Sequence, residues 1–132
     1  MLCREQAACF SARHDEIRSR GADLAFIGNG TVGMAQDFAQ SEKVSADLFT
    51  DPSRDSYRAI GARKGGATIL TPRAALAAAR ALSRGHLQSA TAGHPTQQGG
   101  ELVVTPGGEL RFIHLAEFAG DHADIDTVLA AI

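Results

Sequence analysis

The stretch Met1-Leu2-Cys3-Arg4-Glu5-Gln6 opens a helical pattern that continues to about Ser19. The residues of its inward face recur at alternating spacings of four and three, which is typical of an amphipathic helix. They are Cys3, Ala7, Phe10, His14 and Ile17. The amide groups of a first helical turn lack partners within the helix, and the helix dipole there favours negative charge. The thiolate of Cys3 is therefore stabilised, and Arg4 adds a positive charge beside it. Because the thiolate is the reactive form of cysteine, the pattern indicates a redox thiol. The alternative interpretation is a small apolar residue at a helix end.

The second cysteine, Cys9, lies six residues after Cys3. On one helix the two are about 9 Å apart along the axis, at 1.5 Å of rise per residue, and they point in different directions. They cannot form a disulfide while the helix is intact. We expect Cys9 to be structural.

The composition predicts a single domain, residues 1–132. Hydrophobic residues make up 44% of the chain and charged residues 21%, which is typical of a soluble globular protein. A net charge of -2 gives no reason to expect a nucleic-acid partner. The sequence has no apolar run of about 18 residues, and charge arrives by Arg4, so we expect neither a membrane span nor a signal peptide. Two cysteines are too few for a disulfide scaffold, and a cytoplasmic location is expected.

Periodicity and turn residues predict the order α-β-α-β-α-α-β-β-α. After the first helix, the predicted elements are a strand at 22–27, a helix from the N-cap Thr31 to about Ser41, a strand at 46–50, a short helix after Asp51-Pro52-Ser53, a helix from Thr71-Pro72 to about Arg84, a loop at 88–100, a hairpin at 101–114 and a terminal helix ending at Ile132.

A dinucleotide-binding turn and a metal site are the two other kinds of site that the sequence could contain. Gly28-Asn29-Gly30-Thr31-Val32-Gly33 matches the dinucleotide pattern G-x-G-x-x-G, and Asp51 lies about where a ribose-binding acid falls. However, only one further strand of parallel type follows, so the glycines are better interpreted as a turn and a close packing contact. The five histidines show no spacing of metal ligands. We expect no metal or other cofactor.

The chain resembles a known family over nearly its whole length. The motifs occur in one order and are Leu2-Cys3-Arg4-Glu5-Gln6, Ile27-Gly28-Asn29-Gly30, Asp51-Pro52-Ser53-Arg54 with Tyr57-Arg58 and Gly61, Gln98-Gly99-Gly100, Pro106-Gly107-Gly108 and Ala119-Gly120-Asp121-His122. Together they are similar to the peroxiredoxin-like family related to AhpC/TSA antioxidant proteins, including its peroxiredoxin-like 2 branch. The resemblance implies a thioredoxin-like α/β fold with three layers (α/β/α).

The family pattern at this helix start is C-x-L-C-R-E. Cys3 matches its second cysteine, and the first would fall one position before Met1. The strand that leads into this motif is absent as well. The resemblance therefore implies a sheet that lacks its central strand, between the strand at 24–27 and the strand at 102–105, with two unpaired edges facing a gap.

Three explanations of the gap stand open. The first, which we favour, is that the sequence begins too late, at an internal Met1. A strand of a partner in a homo-oligomer is the second. Direct pairing of the two strands across the gap is the third.

The resemblance implies thiol-based reduction of peroxides or disulfides, with Cys3 as the catalytic thiol and Arg4 as the residue that stabilises its anion. The reductant would be a thioredoxin-like protein or glutathione, and a single motif cysteine predicts impaired turnover. The alternative is a non-catalytic binding module of the same fold, which uses the loop from His94 to Gly100 and the helix start.

Overall fold

Helices and strands alternate along most of the chain, as the sequence predicts, in a computed structural model that describes residues 2–65, 72–83 and 96–132. The elements are α1 (Leu2–Ala12), α2 (His14–Ser19), β1 (Ala25–Gly28), α3 (Val32–Ser41), β2 (Asp47–Thr50), α4 (Asp55–Ala59), α5 (Pro72–Ser83), β3 (Gly100–Val104), β4 (Leu110–Leu115) and α6 (Ile125–Leu129). The prediction of a mixed α/β chain is confirmed. The predicted cap at Thr71 and most of the predicted loop at 88–100, including His94, lie outside the described residues.

Strands β1 and β2 form a parallel pair in which Phe26 lies beside Leu48 and Ile27 beside Phe49. Helix α3 connects them, as parallel strands require a crossover. It begins where the sequence predicts, because the side chain of Thr31 accepts a hydrogen bond from the amide of Met34 at 3.4 Å. A side-chain oxygen at this position satisfies one of the unpaired amides of the first turn.

Strands β3 and β4 form the predicted antiparallel hairpin, with Glu101 opposite His114. Gly108 has a positive φ of 85° in the connecting turn, a conformation that favours glycine. At the far end of the hairpin, a Cβ on Gly100 would lie 2.4 Å from the carbonyl oxygen of His114. Only glycine allows the two backbones to approach so closely.

The two sheets are separate, as the missing central strand predicts. Within the described ranges, β1 pairs only with β2 and β3 only with β4, and no ladder joins the two pairs. The explanation that the sheet closes by pairing these strands directly is therefore wrong. Two strands form a hydrogen-bonded ladder only when they lie about 4.8 Å apart. The β1–β2 pair and the β3–β4 pair are each positioned by their own helices and turns, and these do not bring β1 and β3 together.

A cluster of buried side chains holds the sheets together in place of hydrogen bonds. It consists of Phe10, Ile17, Val128 and Leu129, which come from α1, α2 and α6. Phe26 of β1 and Val103 of β3 both pack against this cluster. The helices thus bridge the two strand pairs by apolar packing.

The first helix is interrupted, whereas the sequence predicts one helix to Ser19. The break is at Arg13, whose amide bonds to the carbonyl of Phe10, three residues back, at 3.1 Å. The guanidinium of Arg13 binds Glu16 and also Asp126 of α6. The pair with Asp126 ties the turn to α6, and no local pattern in the sequence indicates it because the two residues lie far apart in the chain. Among the described residues, no helix combines the length and apolar character needed to cross a membrane.

Candidate functional site

The predicted thiol lies in the first turn of α1. The helix begins at Leu2, so Cys3 occupies the place that the sequence predicts, and the side chain of Cys3 is outside the described residues. By helical spacing, position 3 shares a stripe with Ala7 and Phe10, which are both buried. The sequence therefore places the thiol-bearing position on the face of α1 that packs inward.

Arg4 reaches sideways from this turn to α3. Its guanidinium donates to the hydroxyl of Ser41 at 2.8 Å and forms an ion pair with the carboxylate of Glu42. It also lies 5.7 Å from the ring centroid of Phe38, within the range of a cation–π contact. The positive charge that the sequence assigns to the Cys3 thiolate is thus partly balanced by a carboxylate. No sequence pattern points to Glu42, because 38 residues separate it from Arg4.

Glu5, the next residue, reaches a different helix, α5. It is a buried charged residue with a side chain only 10% exposed, and its Oε1 atom lies 3.6 Å from Nε of Arg80. Carboxylates are rarely buried without a partner, and this cation meets that requirement. The sequence shows neither the burial of Glu5 nor its partner, because both depend on how α5 packs against α1.

An open cleft of about 480 Å³ lies between α1, α5 and the segment before α6. Cys9 lines this cleft and is exposed, contrary to the expectation that it is a structural residue. Position 9 is on the outward side of α1, between the faces occupied by Glu5 and Gln6. Arg73 and Arg80 line the opposite wall.

A polar network forms the floor of the same region. Glu101 of β3, whose side chain is 12% exposed, accepts hydrogen bonds from Gln6 at 3.2 Å and from the amide of Ala123 at 3.3 Å. Its Oε1 atom also lies 3.2 Å from Nδ1 of His122. The network connects the hairpin to α1 and to the segment before α6. Histidine spacing alone gave no sign of this role.

Asp51, which the sequence offers as a possible ribose-binding acid, is engaged within its own turn. Its carboxylate accepts hydrogen bonds from the hydroxyls of Ser53 and Ser56, at 2.6 Å each, and from the amide of Ser56 at 2.8 Å. These bonds, the one from Ser53 first, hold the pKa of Asp51 well below its usual range. The carboxylate therefore stabilises the start of α4.

Possible metal ligands do not cluster in the part of the chain that the structure describes. No three of its His, Cys, Asp and Glu side chains are grouped so that they could hold an ion. The described part of this site is a helix start flanked by charged side chains of both signs. The reactivity of the thiol at position 3 is a prediction from the sequence.

Comparison with known proteins identifies relatives of the chain. The family model for the AhpC/TSA antioxidant enzyme matches residues 10–117, a range that begins seven positions after Cys3. Thioredoxin-like protein AAED1, chloroplastic, from Arabidopsis thaliana is 29% identical over 99% of this chain and 56% of its own length. Prostamide/prostaglandin F synthase from Sus scrofa is 30% identical over 100% of this chain and 67% of its own length. Peroxiredoxin-like 2C from Mus musculus is 27% identical over 88% of this chain and 55% of its own length.

The chain thus spans between about half and two thirds of the length of these relatives. No solved structure matches it. The family implies a thioredoxin-like α/β fold, in agreement with the mixed order of helices and strands, and its members support a redox type of function. The resemblance derived from the motifs is confirmed: the chain belongs to the peroxiredoxin-like AhpC/TSA antioxidant enzyme family of thioredoxin-like proteins.

Proposed function

We propose that this chain reduces peroxides or disulfides through the thiol of Cys3. The observation that carries the proposal is the position of Cys3 in the first turn of α1, in a chain of a thiol antioxidant family. The unpaired amides and the dipole of that turn favour the thiolate, which is the nucleophile. The proposal treats residues 1–132 as one domain and places the protein in the cytoplasm.

The proposed reaction needs one thiol and an external reductant. The Cys3 thiolate attacks a peroxide oxygen, the O–O bond breaks, the alkoxide leaves and takes up a proton, and Cys3 becomes a sulfenic acid. A thiol of a thioredoxin-like protein or of glutathione then forms a disulfide with Cys3 and releases water. A second reductant thiol exchanges with this disulfide and restores Cys3. Metal, flavin and nucleotide have no part in these steps.

Turnover by this chain is expected to be weak. Cys3 and Cys9 lie on the same unbroken helix α1, about 9 Å apart along the axis, and cannot form an intramolecular disulfide. Among the described residues no strand pairs with both β1 and β3, so the start of α1 lacks the central strand that the family resemblance implies there. We propose that a further strand fills the gap between β1 and β3, either from a segment before Met1 or from a second copy in a homo-oligomer.

Two alternatives give the site another role. One is a non-catalytic binding module with the same fold. The other is a prostaglandin-type substrate, which is suggested by the name of the Sus scrofa relative and by the open cleft beside α1. A binding module would turn over no substrate. The second alternative would turn over a prostaglandin instead of a simple peroxide or a disulfide.

The first experiment is a thiol-coupled peroxide assay on the wild type, on Cys3→Ser and on the matched control Cys9→Ser. We expect Cys3→Ser to reduce turnover to the buffer rate, because the only thiol at the helix start is lost, and Cys9→Ser to retain it. Alkylation of the Cys9→Ser protein against pH should have a midpoint below about 8.5, the value of a free cysteine. Activity that depends on Cys9 would overturn the assignment of Cys3 as the reactive thiol. A midpoint at the free value together with no turnover would favour the binding module.

The second experiment extends the chain upstream so that Cys-x-x-Cys is restored. We expect turnover to rise, because a resolving pair within disulfide reach replaces the slow external step and the added strand positions the turn. Geometry that is wrong by about 1 Å can cost roughly 10²-fold in rate. Equal turnover in the two proteins would contradict the proposed importance of the missing half-motif. Light scattering on both proteins tests whether the gap is filled by a second copy.

A further inference from the structure

Two ion pairs of opposite polarity tie the turn that carries Cys3 to the end of α3 and to α5. On the α3 side the helix supplies the cation, Arg4, and the partner Glu42 supplies the anion. On the α5 side the helix supplies the anion, Glu5, and the partner Arg80 supplies the cation. Arg4 and Glu5 directly follow Cys3 in the sequence.

The two pairs are partly shielded from solvent, which makes their charges effective. The side chains of Arg4 and Glu42 are 19% and 13% exposed, and that of Glu5 is 10% exposed, whereas Arg80 is about half exposed. Charges with little solvent around them are screened less by salt than charges on an open surface. Glu42 therefore fixes the direction of the Arg4 side chain and adds a negative charge near the first turn. Arg80 fixes the direction of the Glu5 side chain and adds a positive charge.

We propose that Glu42 and Arg80 are positioning residues for Cys3, which orient Arg4 towards the end of α3 and Glu5 towards α5 and keep the charge around the thiol nearly balanced. The inference rests on the proposed role of Cys3 as the reactive thiol. It assigns a function to two residues, on α5 and at the end of α3, that no sequence motif singles out.

The proposal makes a prediction about sign that a purely structural role does not make. Glu42→Gln removes a negative charge and should shift the midpoint of Cys3 alkylation to lower pH. Arg80→Gln removes a positive charge and should shift it to higher pH. A unit charge about 10 Å away in water changes such a midpoint by about 0.3 pH unit. Loss of packing alone would have no reason to move the two variants in opposite directions.

The experiment measures alkylation of Cys3 against pH at low salt, in a Cys9→Ser background that leaves one thiol. Four other charged or titratable residues line the cleft together with Glu5, and none of them is substituted in any of the variants. They are Arg73, Asp121, His122 and Asp124. Opposite shifts of about 0.3 pH unit, with a midpoint near the wild type in the Glu42→Gln/Arg80→Gln protein, support the proposal. Arg80→Lys keeps the charge and should restore the wild-type midpoint.

Matched controls remove charges of each sign farther along the helical segment. Asp126→Asn acts beside Arg13, about 15 Å along the axis from Cys3, and Arg18→Gln acts farther away on α2. Each should shift the midpoint by less than the variants at Glu42 and Arg80, because the interaction of two charges falls with distance. If Arg80→Gln does not fold, Arg80→Met replaces it, since Met keeps much of the side-chain volume without the charge, and its midpoint must rise. Shifts in the same direction for Glu42→Gln and Arg80→Gln, or no shift in folded variants, would overturn the proposal. Alkylation of Cys3 does not depend on turnover. If the wild type reduces no peroxide but the two variants still shift the alkylation midpoint in opposite directions, the proposed function is rejected and the positioning role of Glu42 and Arg80 stands.

Discussion

The parallel pair β1–β2 and the hairpin β3–β4 differ in how much of each depends on distant parts of the chain. The hairpin is closed by its own turn, in which Thr105 and Glu109 are joined by a backbone hydrogen bond of 2.9 Å. Strands β1 and β2 meet only after the chain has passed through α3. Local closure costs less chain entropy than a crossover. The hairpin should therefore form more independently, and the parallel pair should depend more on the surrounding helices.

The core cluster is where the two halves depend on each other most. Phe10 is 6% exposed, and Phe26 and Val103, one from each sheet, pack against its cluster. We expect Phe10→Ala to lower the free energy of unfolding by about 3–5 kcal/mol, because it leaves a cavity between the halves. Denaturant titration measures the loss. Val32→Ala, at a position 62% exposed, is the control and should cost less than about 0.5 kcal/mol. Similar losses in both would show that the halves are held together elsewhere.

A second substitution should disturb the hairpin and leave the parallel pair in place. In Gly100→Ala the new Cβ would lie 2.4 Å from the carbonyl oxygen of His114, so the strands must separate. We expect a loss of about 1–3 kcal/mol, by analogy with overpacking. Hydrogen exchange should show faster opening of β3 and β4 amides than of β1 and β2 amides.

Gly99→Ala is the matched control for that substitution, since a Cβ at Gly99 meets nothing within 4 Å. Equal acceleration of exchange in both sheets would indicate that the hairpin and the parallel pair open as one unit. That result would remove the distinction between the halves.

The smallest expected effect is a pH dependence confined to the parallel half. The hydroxyls of Ser53 and Ser56 lower the pKa of Asp51, so its stabilising contribution is complete above the usual value of about 3.9 and is lost as the pH falls through the folded-state value. Protection of β2 and α4 amides should stay nearly constant down to about pH 5 and fall below about pH 4, more than protection of the hairpin. Asp51→Asn should remove this difference. An unchanged difference in that variant would assign the effect to another acid.

Much of the secondary structure could be predicted because its signals are local. The Thr31 cap and the end of α3 at Ser41 follow from side chains within a few residues. Asp124 caps α6 by a local interaction of the same kind, because its side chain accepts hydrogen bonds from the amides of Asp126 and Thr127. The thiol at the start of α1 belongs to the same class of signal. Its reactivity stays a prediction, since it depends on the charges that surround the turn.

The features that could not be predicted join residues far apart in the chain. The interruption at Arg13 reflects a bond to Asp126, and the exposure of Cys9 reflects an open cleft beside α5. Hydropathy placed Cys9 within a helix but gave no information about which neighbours would cover it.

The sequence by itself determined the order of the elements, the place of Cys3 in the first turn of α1 and the family. These depend on propensity, capping and motif order, which act over a few residues. Only the tertiary structure decided that the two strand pairs stay apart, and that Arg4 turns to Glu42 while Glu5 turns to Arg80. Those outcomes depend on the packing of α3 and α5 against α1. Side-chain partners 38 or 75 positions apart leave no periodic trace in a single sequence.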